Sequence, residues 1–228
     1  KSGLIPPDQF IALAERSGFI KPLTMWGLEA ALTQSRRWGM EGIEVPISVN
    51  LSARTLHDSR FPNRVEDLLE THGVAAEQLE LEITESVIMV DPARALDILT
   101  RLNRMGISLS IDDFGTGYSS LSYLKKLPVK AVKIDKSFVM HMTQDQNDAQ
   151  IVRSTIDLAH NLGLKVIAEG VENQEVWNRL LALGCDEAQG YHMSRPLPAP
   201  GLTQWLNELP RRLGQMNQTL NLDRALEM

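Results

Sequence analysis

Two aspartates stand side by side at Asp112 and Asp113, closing the apolar stretch 107-ISLSID-112 and preceding a glycine-containing turn. Adjacent like charges at a point where a chain leaves a core repel one another unless a cation sits between or beside them. With oxygen donors and no patterned His or Cys, that cation is most simply Mg²⁺ or Mn²⁺. Asn50 in 49-VNLS-52 offers a further neutral oxygen. Glu82 in 80-ELEITES-86 lies between Leu81 and Ile83, where a carboxylate is costly unless it is paired or metal-bound. Its ionic partner on the first reading is Lys133, so Glu82 reads either as a ligand or as half of a buried salt bridge. Lys133 also has two readings, an electrostatic stabiliser or a Schiff-base amine. So many nearby carboxylates should raise its pKa, which favours the first.

These residues need elements to hold them. Apolar residues at helical spacing, bounded by proline and glycine signals, predict helices over 8–18, 21–39, 61–73, 92–106, 148–163 and 173–184. A short helix is expected over 119–127 and a terminal helical region from about Pro200. Short β-branched runs predict strands over 44–52, 79–84, 107–112, 130–135, 164–170 and 187–191. The endings RSG, RWG, THG, RMG, NLG and ALG predict that the helices stop at glycine. Such alternation implies parallel βαβ units, either doubly wound or closed as a barrel.

The polar residues discriminate between the two. Each predicted strand ends near charged or amide groups: Asn50; Glu82 and Glu85; Asp112 and Asp113; Lys133 and Asp135; Glu169 and Glu172; Gln189. A doubly wound sheet gathers such groups at one switch point. A barrel spreads them over all its strand tips. Polar residues begin at many strand ends for no functional reason, but six strands in succession favour the barrel. The expected fold is a TIM-like (β/α) barrel with about six strands represented. Its expected chemistry is metal-assisted hydrolysis or phosphoryl transfer, with metal-stabilised enolisation second.

Composition narrows the partners. The 228 residues carry a net charge of −6, which gives no long-range attraction for a nucleic-acid polymer. The lone Cys185 rules out an intrachain disulfide. No apolar run reaches the ~20 residues of a membrane span, and no signal peptide is evident at Lys1. A cytoplasmic location without direct membrane contact is expected, within a full-length protein that a membrane can tether. No histidine pair has zinc-site spacing, and no P-loop motif is present.

The strings VNLS, ELEITES, IDDFGTGYSSL, AVKIDKSFV, VIAEGVE and QGY, in this order, resemble the EAL domain, a family of bacterial phosphodiesterases acting on cyclic di-GMP. The resemblance extends from GLIPPDQFIALAERSG to about Pro198. It implies hydrolysis of cyclic di-GMP to linear pGpG, with Mg²⁺ or Mn²⁺ in a two-metal site. Asn50, Glu82 and Asp112 then resemble ligands of the first metal, and Asp113 serves the second. Lys133 resembles the residue that holds the attacking water, and Glu169 a general base or metal partner. Gln189 matches the last polar position of the site, and Asp135 lies within it. Glu85 and Glu172 resemble residues that hold the DDFGTGYSS loop. Homodimers and fusion to sensory or signalling modules are implied as well. The family's Glu-Ala-Leu triplet, expected before GLIPP, is not in this sequence, whose GLEA at 27–30 falls in a helix. Residues 1–228 are therefore expected to form a single EAL-type barrel domain lacking its N-terminal strands, with 213–228 a peripheral helical tail. The alternative is a catalytically inactive domain that binds cyclic di-GMP as a receptor.

Overall fold

The computed structural model describes residues 6–116 and 121–209. Of these, the residues up to 193 fall in one compact unit and those from 194 to 209 in a second.

The first unit is built on a parallel sheet in the order β1 (Ile47–Leu51), β2 (Leu79–Thr84), β3 (Ser108–Phe114), β4 (Ala131–Ile134), β5 (Lys165–Glu169), β6 (Glu187–Gln189). The spatial order never reverses, so there is no switch point, and the winding is that of a barrel. The strands form a half-barrel whose edge strands are β1 and β6. Ten helices accompany them among the described residues of this unit. They are α1 (Pro7–Ser17), α2 (Ile20–Met40), α3 (Ala53–Leu56), α4 (Phe61–His72), α5 (Glu85–Val90), α6 (Pro92–Arg104), α7 (Leu121–Leu124), α8 (Lys136–Val139), α9 (Gln146–Asn161) and α10 (Gln174–Ala182).

Strand alternation sorts the side chains between two faces. Leu79, Leu81 and Ile83 of β2, Leu109 and Ile111 of β3, and Val132 and Ile134 of β4 are buried. They belong to the same core as Phe61, Val65 and Leu69 of α4, Ile98, Leu99 and Leu102 of α6, and Val152 and Ile156 of α9. Each fully buried Leu or Ile contributes roughly 1.5–3 kcal/mol, so this layer fixes the sheet. The alternate positions carry Asn50, Glu80, Glu82, Ser110, Lys133, Glu169 and Gln189. Their polarity is affordable only if they pair with one another or bind something.

Three expectations need correction. Helix α2 does not stop at Gly39 but runs to Met40, and the chain turns at Gly42, with φ +75°. The other five anticipated stops, Gly18, Gly73, Gly106, Gly163 and Gly184, do take positive φ. Short helices α5 and α8 follow β2 and β4 directly and were not expected; each is too short for a periodic signal. Strand β3 does not end at Asp112 but continues through the aspartate pair to Phe114.

In the second unit, residues 199–209 are helical, one residue before the expected start. Leu202 N–H donates to Pro198 O at 3.0 Å in its first turn. The tail expected over 213–228 lies outside the described residues.

Candidate active site

Lys133, 3% exposed, stands at the centre. Its Nζ lies 2.6 Å from Glu169 Oε1, 2.7 Å from Glu82 Oε2 and 3.4 Å from Asp112 Oδ1. Strands β2, β3, β4 and β5 thus converge on one ammonium. Burial alone would favour the neutral amine, but the hydrogen bonds Lys133 donates to Glu169 and Glu82, together with their charges, outweigh it. They hold Lys133 above the ordinary lysine range. A permanently charged ammonium is not the nucleophile a Schiff base needs. Both readings of Glu82 meet here: it is ion-paired with Lys133 and still has a second oxygen to offer.

The aspartate pair depends on a bulge. In a regular strand, neighbouring side chains point to opposite faces. Here Ile111 pairs with Val132 and Phe114 with Ile134, so Asp112 and Asp113 stand opposite the single Lys133. Asp113 takes φ +54°, the one positive φ of a non-glycine among the described residues. Aspartate tolerates that region better than most residues, at a cost of about 1 kcal/mol. The extra residue turns both carboxylates the same way. One oxygen from each of Asp112, Asp113 and Glu169 lies within 4.8 Å of the others. The turn is tied locally. Asp113 N–H donates to Asp112 Oδ1 at 3.1 Å, and the Thr116 hydroxyl donates to the Asp113 carbonyl at 2.8 Å.

The charges do not balance. Glu82, Asp112, Asp113 and Glu169 face one ammonium. Burial raises the pKa of Asp113, and the charges of Asp112 and Asp135 push it further the same way. Burial also raises that of Glu169, helped by Asp112 and Glu82, although Lys133 pulls it down. Asp135 goes the other way. Burial would raise it, but it accepts hydrogen bonds from the hydroxyl and backbone N–H of Ser137 and is lowered overall. Strained, mutually repelling carboxylates with hard oxygen donors fit a divalent cation. Asn50, exposed on β1 and in register with Glu82, adds an amide oxygen on the same side.

The remaining anticipated residues are more dispersed. Gln189 ends β6 and pairs with Glu169 in register. Glu172 is exposed on the loop after β5. Glu85 opens α5, is 8% exposed, and both its carboxylate oxygens lack a hydrogen-bond partner among the described residues. It lines an apolar pocket with Phe114 and Tyr123, on either side of residues 117–120, which lie outside the described set. Two contributors were not anticipated. Ser137 holds Asp135, a pairing that the N-cap spacing in IDKS could have signalled. Ser110 lies opposite Glu82, fully buried, with no partner for its hydroxyl among the described residues; nothing in the sequence singles it out.

A (β/α) half-barrel with a lysine clamped by carboxylates, beside an aspartate pair on a bulged strand, presents a cluster of oxygen donors suited to a hard cation at its strand tips. The comparisons narrow this to a family. The family model described as "EAL domain" matches residues 1–196, and the chain belongs to that family. It is 43% identical over 205 residues to cyclic di-GMP phosphodiesterase NbdA of Pseudomonas aeruginosa, covering 90% of this chain and 26% of that protein. It is likewise 43% identical over 201 residues to the bifunctional diguanylate cyclase/cyclic di-GMP phosphodiesterase MucR of the same organism, covering 88% and 29%. The chain therefore spans roughly a quarter to a third of the length of such curated relatives. The solved PaMucR phosphodiesterase in complex with c-di-GMP superposes with a TM-score of 0.86 at 43% identity, over 89% of this chain and 82% of that one.

Proposed function

We propose that this domain hydrolyses one phosphodiester bond of cyclic di-GMP, giving linear pGpG, with Mg²⁺ or Mn²⁺ as cofactor. The observation that carries the reading is the cluster of Asp112, Asp113 and Glu169 oxygens set against the Lys133 ammonium, in a chain of the EAL family. Asn50, Glu82 and Asp112 would hold one cation, and Asp112 with Asp113 a second. Bound there, the cations supply charge neutralisation at the phosphate and lower the pKa of water. The protein's own groups do the rest. Lys133 stays charged and holds the attacking water or the developing negative charge beside Asp112 and Glu169. Glu169, its pKa raised by burial, accepts the proton as water adds to phosphorus. The bond from phosphorus to one ribose 3′ oxygen breaks, and that oxygen takes up a proton. Gln189 and Asp135 flank the cluster and orient the substrate. Glu85 and Glu172 hold the loop that follows Asp113.

The relatives' lengths support a place within a larger protein beside other modules; a cytoplasmic setting, sensory or signalling partners and homodimers belong to the same proposal. Among the described residues no helix is long and apolar enough to cross a membrane.

The test is to incubate the full-length protein with cyclic di-GMP and either metal and to follow pGpG by chromatography. Turnover that disappears with EDTA is the expected result. Binding without turnover in either metal would make the domain a receptor instead.

A further inference from the structure

Two glycines follow two site residues directly: Gly170 after Glu169, and Gly190 after Gln189. Each sits where no side chain fits. Gly170 has φ +72°, and a Cβ there would lie 2.5 Å from Lys136 Cβ and 3.2 Å from Lys136 Cα, at the start of α8. A Cβ on Gly190 would lie 2.2 Å from Val171 O and 2.4 Å from Val171 N. Val171 is fully buried, and both its backbone groups are engaged by the same segment. Its N–H donates to Gln189 O at 3.1 Å, and its carbonyl accepts from His192 N–H at 2.9 Å. The α8 backbone, the 170–171 backbone and the 189–192 backbone are therefore in bare contact just past the ends of β4, β5 and β6. Lys133, Glu169 and Gln189 hang from those three ends.

We propose that Gly170 and Gly190 are positioning residues, which by letting these backbones touch set the Glu169 carboxylate against Lys133 and beside Asp112 and Asp113. This rests on the proposed hydrolysis only for the reaction it serves. Side chains at either glycine wedge the strand tips apart. The 2.6 Å contact between Glu169 and Lys133 then opens. A displacement of about 1 Å at reacting groups costs roughly 100-fold in rate.

The severe obstacle at Gly170 is the side-chain stem of Lys136, which can be removed, while the positive φ and the 3.2 Å approach to Lys136 Cα remain. In the full-length protein, Gly170→Ala is expected to lower kcat about 100-fold with little change in KM. Gly170→Ala/Lys136→Gly is expected to recover turnover to within threefold of Lys136→Gly alone, while its melting temperature stays below that of Lys136→Gly, because the positive φ at residue 170 still strains an alanine. A purely structural role predicts that activity and stability fall together. Lys136→Gly should not rescue Gly190→Ala, whose obstacle is backbone. Recovery of both variants, or of neither, overturns the proposal, as does full kcat in Gly170→Ala. If Gly170→Ala is insoluble, the double variant decides: soluble and active supports the proposal, insoluble or inactive overturns it. Mn²⁺ affinity by calorimetry gives a reading without substrate. It should drop about tenfold or more in Gly170→Ala and return in the double variant. If the unaltered protein does not hydrolyse cyclic di-GMP, the proposed function fails, and the Mn²⁺ series alone decides the positioning.

Discussion

Two charge clusters in this molecule mirror each other. Lys133 is one cation among the anions Glu82, Asp112 and Glu169. Asp58, in the turn before α4, is one anion among the cations Lys21, Arg60 and Arg64, at 3.3, 3.4 and 4.0 Å. The surroundings separate them. The side chains around Lys133 are 9–19% exposed, whereas those around Asp58 are 42–73% exposed. Surplus positive charge around Asp58 is dispersed by water and needs no further partner. Surplus negative charge around Lys133 is confined on the concave face, and a divalent cation is its natural complement. The same three-to-one arithmetic thus yields a structural tie at the surface and, at the strand tips, the cluster on which the proposed function rests.

Removing each hub is the sharpest way to break this contrast. Lys133→Met should abolish turnover and cost about 3–5 kcal/mol of stability, because it leaves Glu82, Asp112 and Glu169 without their internal cation. Urea denaturation at neutral pH measures the second effect. A loss no larger than that of a surface ion pair would make the two clusters equivalent. Asp113→Asn is expected to separate activity from stability. It removes a carboxylate that burial and Asp112 hold at a raised pKa, so turnover should fall at least about 100-fold while the melting temperature holds or rises. A fall in both would mean that the aspartate supports the bulge rather than the chemistry.

Metal should distinguish the clusters next. Mn²⁺ at 100 times its dissociation constant contributes about 2.7 kcal/mol to stability, a rise of roughly 5–10 °C in a domain of this size. Differential scanning fluorimetry with and without EDTA reads it. Asp112→Ala should erase the shift, and Asp58→Asn should leave it whole.

The sequence carried much of this, unevenly. In ELEIT the apolar neighbours Leu81 and Ile83 marked Glu82 as a carboxylate in need of a partner, and β2 begins and ends where the pattern predicts, at Leu79 and Thr84. The pairing of Glu82 with Lys133 followed from the cost of burying either alone. The aspartates were legible as a pair but not as a geometry. Alternation would send Asp112 and Asp113 to opposite faces, and only the register shift against β4 brings them together. A bulge has no periodic signature, because it is a single break in a period. The seam at Gly170 and Gly190 was equally hidden. Both glycines lie in motifs, EGVE and QGY, but what each must avoid lies on another segment, the Lys136 stem for Gly170 and the Val171 backbone for Gly190. Long-range contacts of this kind depend on the assembled sheet, and no local spacing encodes them.

The smallest expected effect lies at Asp58, and its value is in its sign. The backbone N–H of Arg60 and the Lys21 ammonium hold the Asp58 carboxyl at about 2, below the ordinary 3.8, although burial pulls the other way. A carboxylate with a depressed pKa in the folded state adds stability above its unfolded pKa and loses it as the pH falls through the folded value. The contribution is therefore complete above about pH 5 and gone below about pH 2. Its partners are exposed, so solvent screening reduces it to about 1 kcal/mol. Asp58→Asn should cost that amount at pH 7 and almost nothing at the acid end, with turnover at neutral pH unchanged. Paired urea titrations of the two proteins across this range measure the difference. A gap that stays constant with pH would mean that Asp58 acts through its hydrogen bond to Arg60 N–H and not through its charge. The surface cluster would then no longer be an electrostatic counterpart of the buried one.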